Sequence, residues 1–144
     1  MSLPVGYALL DQPPSLEEYL RLRRDSGLTP KNEDQGRGAL AGSWSFCHIR
    51  AASEDSAVAM GRVIGDGGWY FLIADMATLP EHQRMGLGRV VLDNLLDGIR
   101  AGAPERPWVT LFADGPGRRL YASAGFTESA PASLGMQMIL EPKS

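Results

Sequence analysis

The chain has 144 residues, of which 44% are hydrophobic and 22% charged, and its formal net charge is -3 at pH 7. That length suits one domain, residues 1–144, able to bury roughly two-thirds of its unfolded surface. So mild a negative charge argues against the broadly basic surface of a general nucleic-acid or anionic-membrane binder, though a local basic cluster stays compatible with it.

Taken in chain order, residues 6–10 suit a short first strand. Ser15 and Glu18 have capping-box spacing and open a helix running to about Asp25, which Gly27 and Pro30 stop. Residues 31–42 are polar and glycine-punctuated, fitting a short second helix or a mobile loop. Two strand-like runs follow, 44–50 and 57–64, parted by the polar turn Ala52-Ser53-Glu54-Asp55. Gly65-Asp66-Gly67-Gly68 is a hairpin signal, because glycine supplies the positive φ of tight turns. Residues 69–79 then form a long strand ending at Pro80.

From Gly86 the period becomes helical. Leu87, Val91, Leu95 and Ile99 recur every four residues, with Arg89, Asp93, Asp97 and Arg100 opposite them, until Gly102 and Pro104 end the helix. Residues 108–113 suit a buried strand, 116–124 a short helix and 134–140 a last strand. A hairpin-connected sheet joined to a β-α-β crossover is a mixed α/β architecture.

Cys47 is the single cysteine, so no intrachain disulfide forms, and its strand-like surroundings predict a buried packing thiol. One cysteine with two distant histidines, His48 and His82, makes no recognisable zinc site, and no metal is expected. No apolar stretch approaches the ~20 residues of a spanning helix. Met1-Ser2-Leu3-Pro4 has neither the basic nor the apolar region of a signal peptide, so a soluble, cytoplasmic protein is expected.

The strongest chemical signal is Gln83-Arg84-Met85-Gly86-Leu87-Gly88, between the long strand and the amphipathic helix. A glycine-rich turn there presents backbone N–H groups together with the positive end of a helix dipole, an arrangement that binds phosphate. The dinucleotide fingerprint fails, since Val91 stands where its third glycine belongs. A Walker loop fails as well, because Arg89 rather than lysine follows Gly88.

Gln83-x-x-Gly86-x-Gly88 after an apolar strand resembles the pyrophosphate loop of the GNAT superfamily of acetyl-CoA-dependent N-acetyltransferases. Leu120-Tyr121-Ala122-Ser123-Ala124-Gly125-Phe126 is similar to that superfamily's Leu-Tyr-x-x-x-Gly-Phe signature. The order of elements agrees from residue 5 to 140. The resemblance implies the GNAT acyl-CoA N-acyltransferase fold: a predominantly antiparallel sheet with a central, splayed parallel strand pair, flanked by helices.

It further implies that N–H groups of Arg84, Met85, Gly86, Leu87, Gly88 and Arg89 cradle the CoA pyrophosphate. Arg118 and Arg119 would reach the nucleotide end. Met76, Ala77 and Thr78 would offer backbone groups to pantetheine and to the thioester. Tyr121 matches the usual general acid, a phenol donating to the departing thiolate. Asp114 departs from the pattern, standing where asparagine is common, and either contacts pantetheine or caps the helix near Pro116.

No general base is evident. Asp75, a lone carboxylate between Ala74 and Met76, suits either a base or water-relay member or a buried hydrogen-bond acceptor. Glu81 and His82, just beyond the strand, suit either the same base role or exposed turn residues. The acceptor side would draw on residues 24–42, carrying Glu33 and Asp34, and 127–136, carrying Glu128. Ala130-Pro131-Ala132-Ser133 is too short and proline-broken to promise a full sixth strand.

The expected activity is transfer of an acetyl group from acetyl-CoA to a primary amine of a small molecule or peptide, by direct attack in a ternary complex. A CoA-binding sensor without turnover is the alternative, and transfer of another acyl chain a third reading. No nucleic-acid or membrane partner is expected, and a homodimer is a possible assembly.

Overall fold

The computed structural model describes residues 2–143. The chain divides after Leu111 into two compact units.

The first unit is a five-stranded mixed sheet with helices on both faces. Strands β1 (Tyr7–Leu10), β2 (Ser45–Ala51), β3 (Ser56–Gly65) and β4 (Tyr70–Thr78) pair antiparallel in sequence order. Strand β5 (Trp108–Thr110) joins β4 in parallel. Helices α1 (Leu16–Asp25) and α2 (Glu33–Gly42) precede β2, and α3 (Leu87–Gly102) carries the chain from β4 to β5.

Successive side chains of a strand face opposite ways, and β2 shows which helix lies on which face. Phe46 meets Tyr19 of α1 edge-on at 6.1 Å. The next residue, Cys47, lies with its Sγ 3.9 Å from the Val91 carbonyl of α3. Cys47 is the buried packing thiol expected, and burial pushes its pKa up to about 11. On α3 the residues buried are Leu87, Val90, Val91, Leu92, Leu95 and Ile99, which contain the four-residue stripe Leu87, Val91, Leu95 and Ile99 read from the sequence. Trp44, just before β2, packs edge-on against Phe71 of β4 at 4.9 Å.

Helix α1 has its capping box, with Ser15 and Glu18 bonded reciprocally. Residues 33–42, read as helix or loop, are helical. Asn32 and Gln35 form a second capping box that the glycines had obscured. The β3–β4 hairpin turns on Asp66, whose Oδ1 accepts the N–H groups of Gly68, Trp69 and Tyr70 at 2.7, 3.0 and 3.1 Å.

Two expectations are corrected. The strand read over residues 108–113 is only Trp108–Thr110, and its Trp108 is half exposed rather than buried. It pairs with Tyr70–Leu72 alone, so its ladder is three residues long. Residues 134–140 form no strand, although the sequence has strand-like apolar content. Such a preference is realised only where a neighbouring strand satisfies the backbone.

The second unit begins at Phe112. A 3-10 turn, Gly115–Gly117, leads directly into the short helix α4 (Arg118–Ser123). Gly135 lies against the Phe112 ring, where an added Cβ would stand 2.6 Å from Phe112 Cε1.

Among the described residues no helix is long and apolar enough to cross a membrane.

Candidate active site

Three features of the first unit converge on one chemistry: a bulge in β4, a divergence of β4 from β5, and the glycine loop that opens α3.

The bulge arises where the β3–β4 register passes from Met60 opposite Ala77 to Arg62 opposite Ala74. Asp75 and Met76 therefore both face Gly61. A Cβ on Gly61 would lie 2.6 Å from Met76 Sδ and 2.8 Å from Val91 Cγ1, so the bulge needs glycine there. Asp75 itself takes φ of 54°, in the left-handed region that aspartate tolerates better than most residues. Bulges of this kind bend a strand and end its pairing on one side.

Strand β4 does lose a neighbour. Its parallel ladder with β5 covers Tyr70, Phe71 and Leu72, while β4 runs on to Thr78. The stretch holding Met76, Ala77 and Thr78 therefore turns one backbone edge away from any β5 partner. An extended, amide-bearing ligand can add to such an edge as a further strand.

At the end of β4 the chain makes a 3-10 turn, Pro80–His82, then the loop from Gln83 to Gly88. Gln83 Nε2 donates to the Thr78 carbonyl at 3.0 Å, stapling the loop to the strand it leaves. Arg84 and Gly86 take φ of 63° and 82°, both left-handed. Gly86 is the N-cap of α3 and supplies no side-chain cap. The N–H groups of the first helical turn have no carbonyl four residues back within the helix, and with the helix dipole they favour an anion at that end. Arg89, in the first turn, lies 2.9 Å from Asp93.

Asp75 has a role the sequence left open. Its Oδ2 accepts from Tyr19 Oη at 2.5 Å and from Arg62 Nε at 2.7 Å, and its Oδ1 accepts from Arg23 Nη1 at 2.5 Å. The side chain is 6% exposed. Burial raises its pKa, but Tyr19, Arg62 and Arg23 together outweigh that and hold it below the usual carboxylate range. Tyr19 responds oppositely: burial, and then the Asp75 carboxylate, push its pKa up to about 12. A carboxylate held ionised by two guanidiniums and a phenol is a poor proton acceptor at neutral pH.

Sequence reading missed Tyr19, Arg23 and Arg62. The signal was there: Arg62 and Asp75 are single charges in otherwise apolar strands, each calling for a partner.

His82 is buried, not the exposed turn residue expected, while Glu81 is exposed. The His82 ring lies between Tyr7 and Glu54. Of the acids considered for amine attraction, Glu33 and Asp34 pair with Arg37 at 2.9 and 2.8 Å, while Glu128 is exposed. A cavity of about 620 Å³ bounded by Asp11, Trp44, Phe46, Asn94 and Asp97 includes no residue of the bulge or the loop. Among the described residues no cluster suits a metal ion.

In the second unit Tyr121 packs edge-on to Phe126 at 6.2 Å. Gly117 makes room for its ring, since a Cβ there would lie 2.8 Å from Tyr121 Cε2. Burial, and then the Asp114 carboxylate, raise the Tyr121 pKa, so the phenol keeps its proton at neutral pH. Asp114 occupies the N-cap position of the 3-10 turn but makes no side-chain cap. Arg118 Nε donates to the Ala113 carbonyl at 3.2 Å.

A bulged β4 parting from β5 above a glycine loop agrees with what the sequence resemblance implies. A family model, the acetyltransferase (GNAT) domain, matches residues 44–128. The chain belongs to the GNAT acetyltransferases. A structure of a protein of unknown function from meticillin-resistant Staphylococcus aureus, described as a probable acetyltransferase, is 30% identical. It aligns over 93% of this chain and 99% of its own with a TM-score of 0.86. Two more distant GNAT-fold structures share the fold. A GNAT-family acetyltransferase from Streptococcus pneumoniae is 24% identical, with a TM-score of 0.75 over 95% of this chain and 99% of that one. Glucosamine-6-phosphate N-acetyltransferase from Arabidopsis thaliana is 14% identical, with a TM-score of 0.71 over 94% and 99%. Among curated proteins, none matched.

Proposed function

We propose that this GNAT acetyltransferase moves the acetyl group of acetyl-CoA to a primary amine of a small molecule or peptide, by direct attack in a ternary complex in the cytoplasm. The observation that carries the donor is the left-handed Arg84–Gly86 turn at the N-terminus of α3, beside a β4 edge that β5 leaves unpaired. The residues fit the cosubstrate: N–H groups from Arg84 to Arg89 would hold the pyrophosphate, and Met76 to Thr78 would bond the pantetheine amides.

In the reaction the amine nitrogen bonds to the thioester carbon, the C–S bond breaks, and the thiolate needs a proton as the amine loses one. Tyr121, the position the resemblance gives to the general acid, supplies the first proton and regains one from solvent; its raised pKa keeps the hydroxyl intact until then. Asp75 serves as an anchor for the bulge rather than as the base, because both its oxygens are engaged. The proton leaving the amine goes to water. With Glu33 and Asp34 paired to Arg37, these two acids add little charge to attract the amine.

The engaged Asp75 also favours the second reading, a CoA-binding sensor without turnover. Thermal shifts with acetyl-CoA, CoA, NAD and ATP, followed by thiol release over an amine panel, separate the two. Stabilisation by CoA species alone and thiol release with one amine class are expected. Binding without release for every amine would favour the sensor, and stabilisation by NAD but not CoA would overturn the donor.

A further inference from the structure

Beneath the glycine loop lies a chain of three side chains that the acetyl-transfer reading does not use. Glu54 comes from the turn between β2 and β3, His82 ends the 3-10 turn, and Tyr7 opens β1. The Glu54 carboxylate meets His82 Nε2. Tyr7 Oη lies 2.7 Å from His82 Nδ1, and the two rings meet edge-on at 5.6 Å and 89°. Tyr7 Oη also lies 3.3 Å from Met85 Sδ, an atom of the loop itself.

The chemistry of this chain is directional. In the neutral imidazole whose proton sits on Nε2, that N–H donates to the carboxylate and Nδ1 accepts from the Tyr7 hydroxyl. One phenolic hydrogen then has two acceptors, the imidazole and the Met85 sulfur. His82 is 7% exposed, so the imidazole is fixed by packing as well as by both hydrogen bonds. Arg21 of α1, 3.4 Å from Glu54, holds the carboxylate from its other side. The His82 contact leads the causes that lower the Glu54 pKa. Three segments distant in sequence, at Tyr7, Arg21 and Glu54, thus converge on the residue immediately before Gln83.

We propose that Glu54, His82 and Tyr7 form a positioning relay that sets the conformation of the Gln83–Gly88 loop for the pyrophosphate of the acyl donor. None of the three touches the donor; they act through the backbone at His82 and the side chain at Met85. The inference rests on the donor reading above. Its physical basis is preorganisation: a loop with two left-handed residues binds an anion well only if that shape is already held before the ligand arrives.

The test uses Tyr7→Phe and Glu54→Gln in the full chain. Tyr7→Phe keeps the ring packing and removes only the hydroxyl. Acetyl-CoA dissociation constants are measured by calorimetry, and backbone amide exchange is measured in the ligand-free protein. The expected result is an acetyl-CoA affinity about fivefold weaker in each variant, with faster exchange confined to residues 83–89 and an unchanged melting temperature. Unchanged affinity in both variants would overturn the relay. So would weakening that comes with a lowered melting temperature and faster exchange throughout the sheet, the signature of a merely structural contact. If the unsubstituted protein does not bind acetyl-CoA, the donor reading itself fails, a result distinct from either of these.

Discussion

Arg62 of β3 and Asp75 of β4 are joined at 2.7 Å, so a guanidinium on β3 fastens β4 at its bulge. Asp75 holds a left-handed φ of 54°, a conformation that costs of order 1 kcal/mol or more for a residue with a side chain. Three donors from α1 and β3 offset that cost and fix where β4 turns from β5. Asp75→Asn keeps the shape and removes the charge, leaving Arg23 and Arg62 without their counter-ion. Removing one partner of such a buried set costs about 3–5 kcal/mol. Denaturant unfolding should show a loss of that size, and activity, normalised to folded protein, should persist at a reduced level. A variant of full stability with no activity would restore Asp75 as the base.

The same carboxylate gives stability a pH dependence of definite sign. Its folded pKa lies below the unfolded value of about 3.9. Its contribution is therefore complete above that value and is lost as pH falls through the folded pKa. Glu18 is shifted in the same direction: burial opposes the shift, and the Ala57 and Ser15 N–H groups, with Arg50, prevail. The melting temperature should fall steeply below about pH 4. Asp75→Asn should have a lower melting temperature at neutral pH and a shallower acid slope. Parallel slopes in the two proteins would contradict the assignment.

Gln83 is the polar residue that opens the glycine loop, and its amide reaches back to the Thr78 carbonyl at 3.0 Å. Gln83→Ala removes one exposed hydrogen bond, a change of about 1 kcal/mol. The melting temperature should fall by only about 2–5 °C. Acetyl-CoA affinity should weaken about threefold to tenfold, because the loop loses its staple to β4. Equal affinity by calorimetry would show that the backbone alone fixes the loop.

The parts of the fold carried by local signals were legible in the sequence. The Ser15–Glu18 capping box, the Asp66 hairpin and the four-residue spacing on α3 are each contained in a few adjacent residues, and each is present. What failed depended on partners far away in the chain. His82 looks like a turn residue until Tyr7 and Glu54 close around it, and the choice between base and buried acceptor for Asp75 stays open until Tyr19, Arg23 and Arg62 are seen donating to it. Residues 134–140 failed for the converse reason, since strand-like composition specifies no pairing partner. For the candidate site, the turn at Gln83–Gly88 was legible because glycine marks the left-handed backbone at Gly86 that opens α3. The charged network around Asp75 was not, because single charges in strands say that partners exist without saying which.

Gly61 stands opposite the bulge with no room for a methyl group. A Cβ would lie 2.6 Å from Met76 Sδ, 2.8 Å from Val91 Cγ1 and 3.0 Å from Leu95 Cδ1. Met76 is flexible, but Val91 is a stiff, fully buried side chain on α3. Gly61→Ala should therefore push the bulge and α3 apart, destabilising by about 1–3 kcal/mol. Acetyl-CoA affinity should weaken with it, since both the β4 edge and the start of α3 shift. Calorimetry beside thermal unfolding checks both parts, and an affinity untouched by the loss of stability would separate the bulge from the donor site.

Tyr121 has one property that its assigned role demands. Burial, then Asp114, raise its pKa, so the phenol remains protonated across the range in which the enzyme would work. A general acid must hold its proton until the thiolate departs, and removing it costs about 10²–10⁴-fold in turnover. Tyr121→Phe should lose activity on that scale, with acetyl-CoA affinity within about twofold because no binding contact is removed. The ring fits against Gly117 without its hydroxyl, so the variant should fold. Asp114→Asn removes the carboxylate that helps raise the phenol's pKa, so its activity should begin to decline at a lower alkaline pH than the parent's. If Tyr121→Phe kept full turnover, the thiolate would be taking its proton from water, and the raised pKa would be a consequence of packing alone.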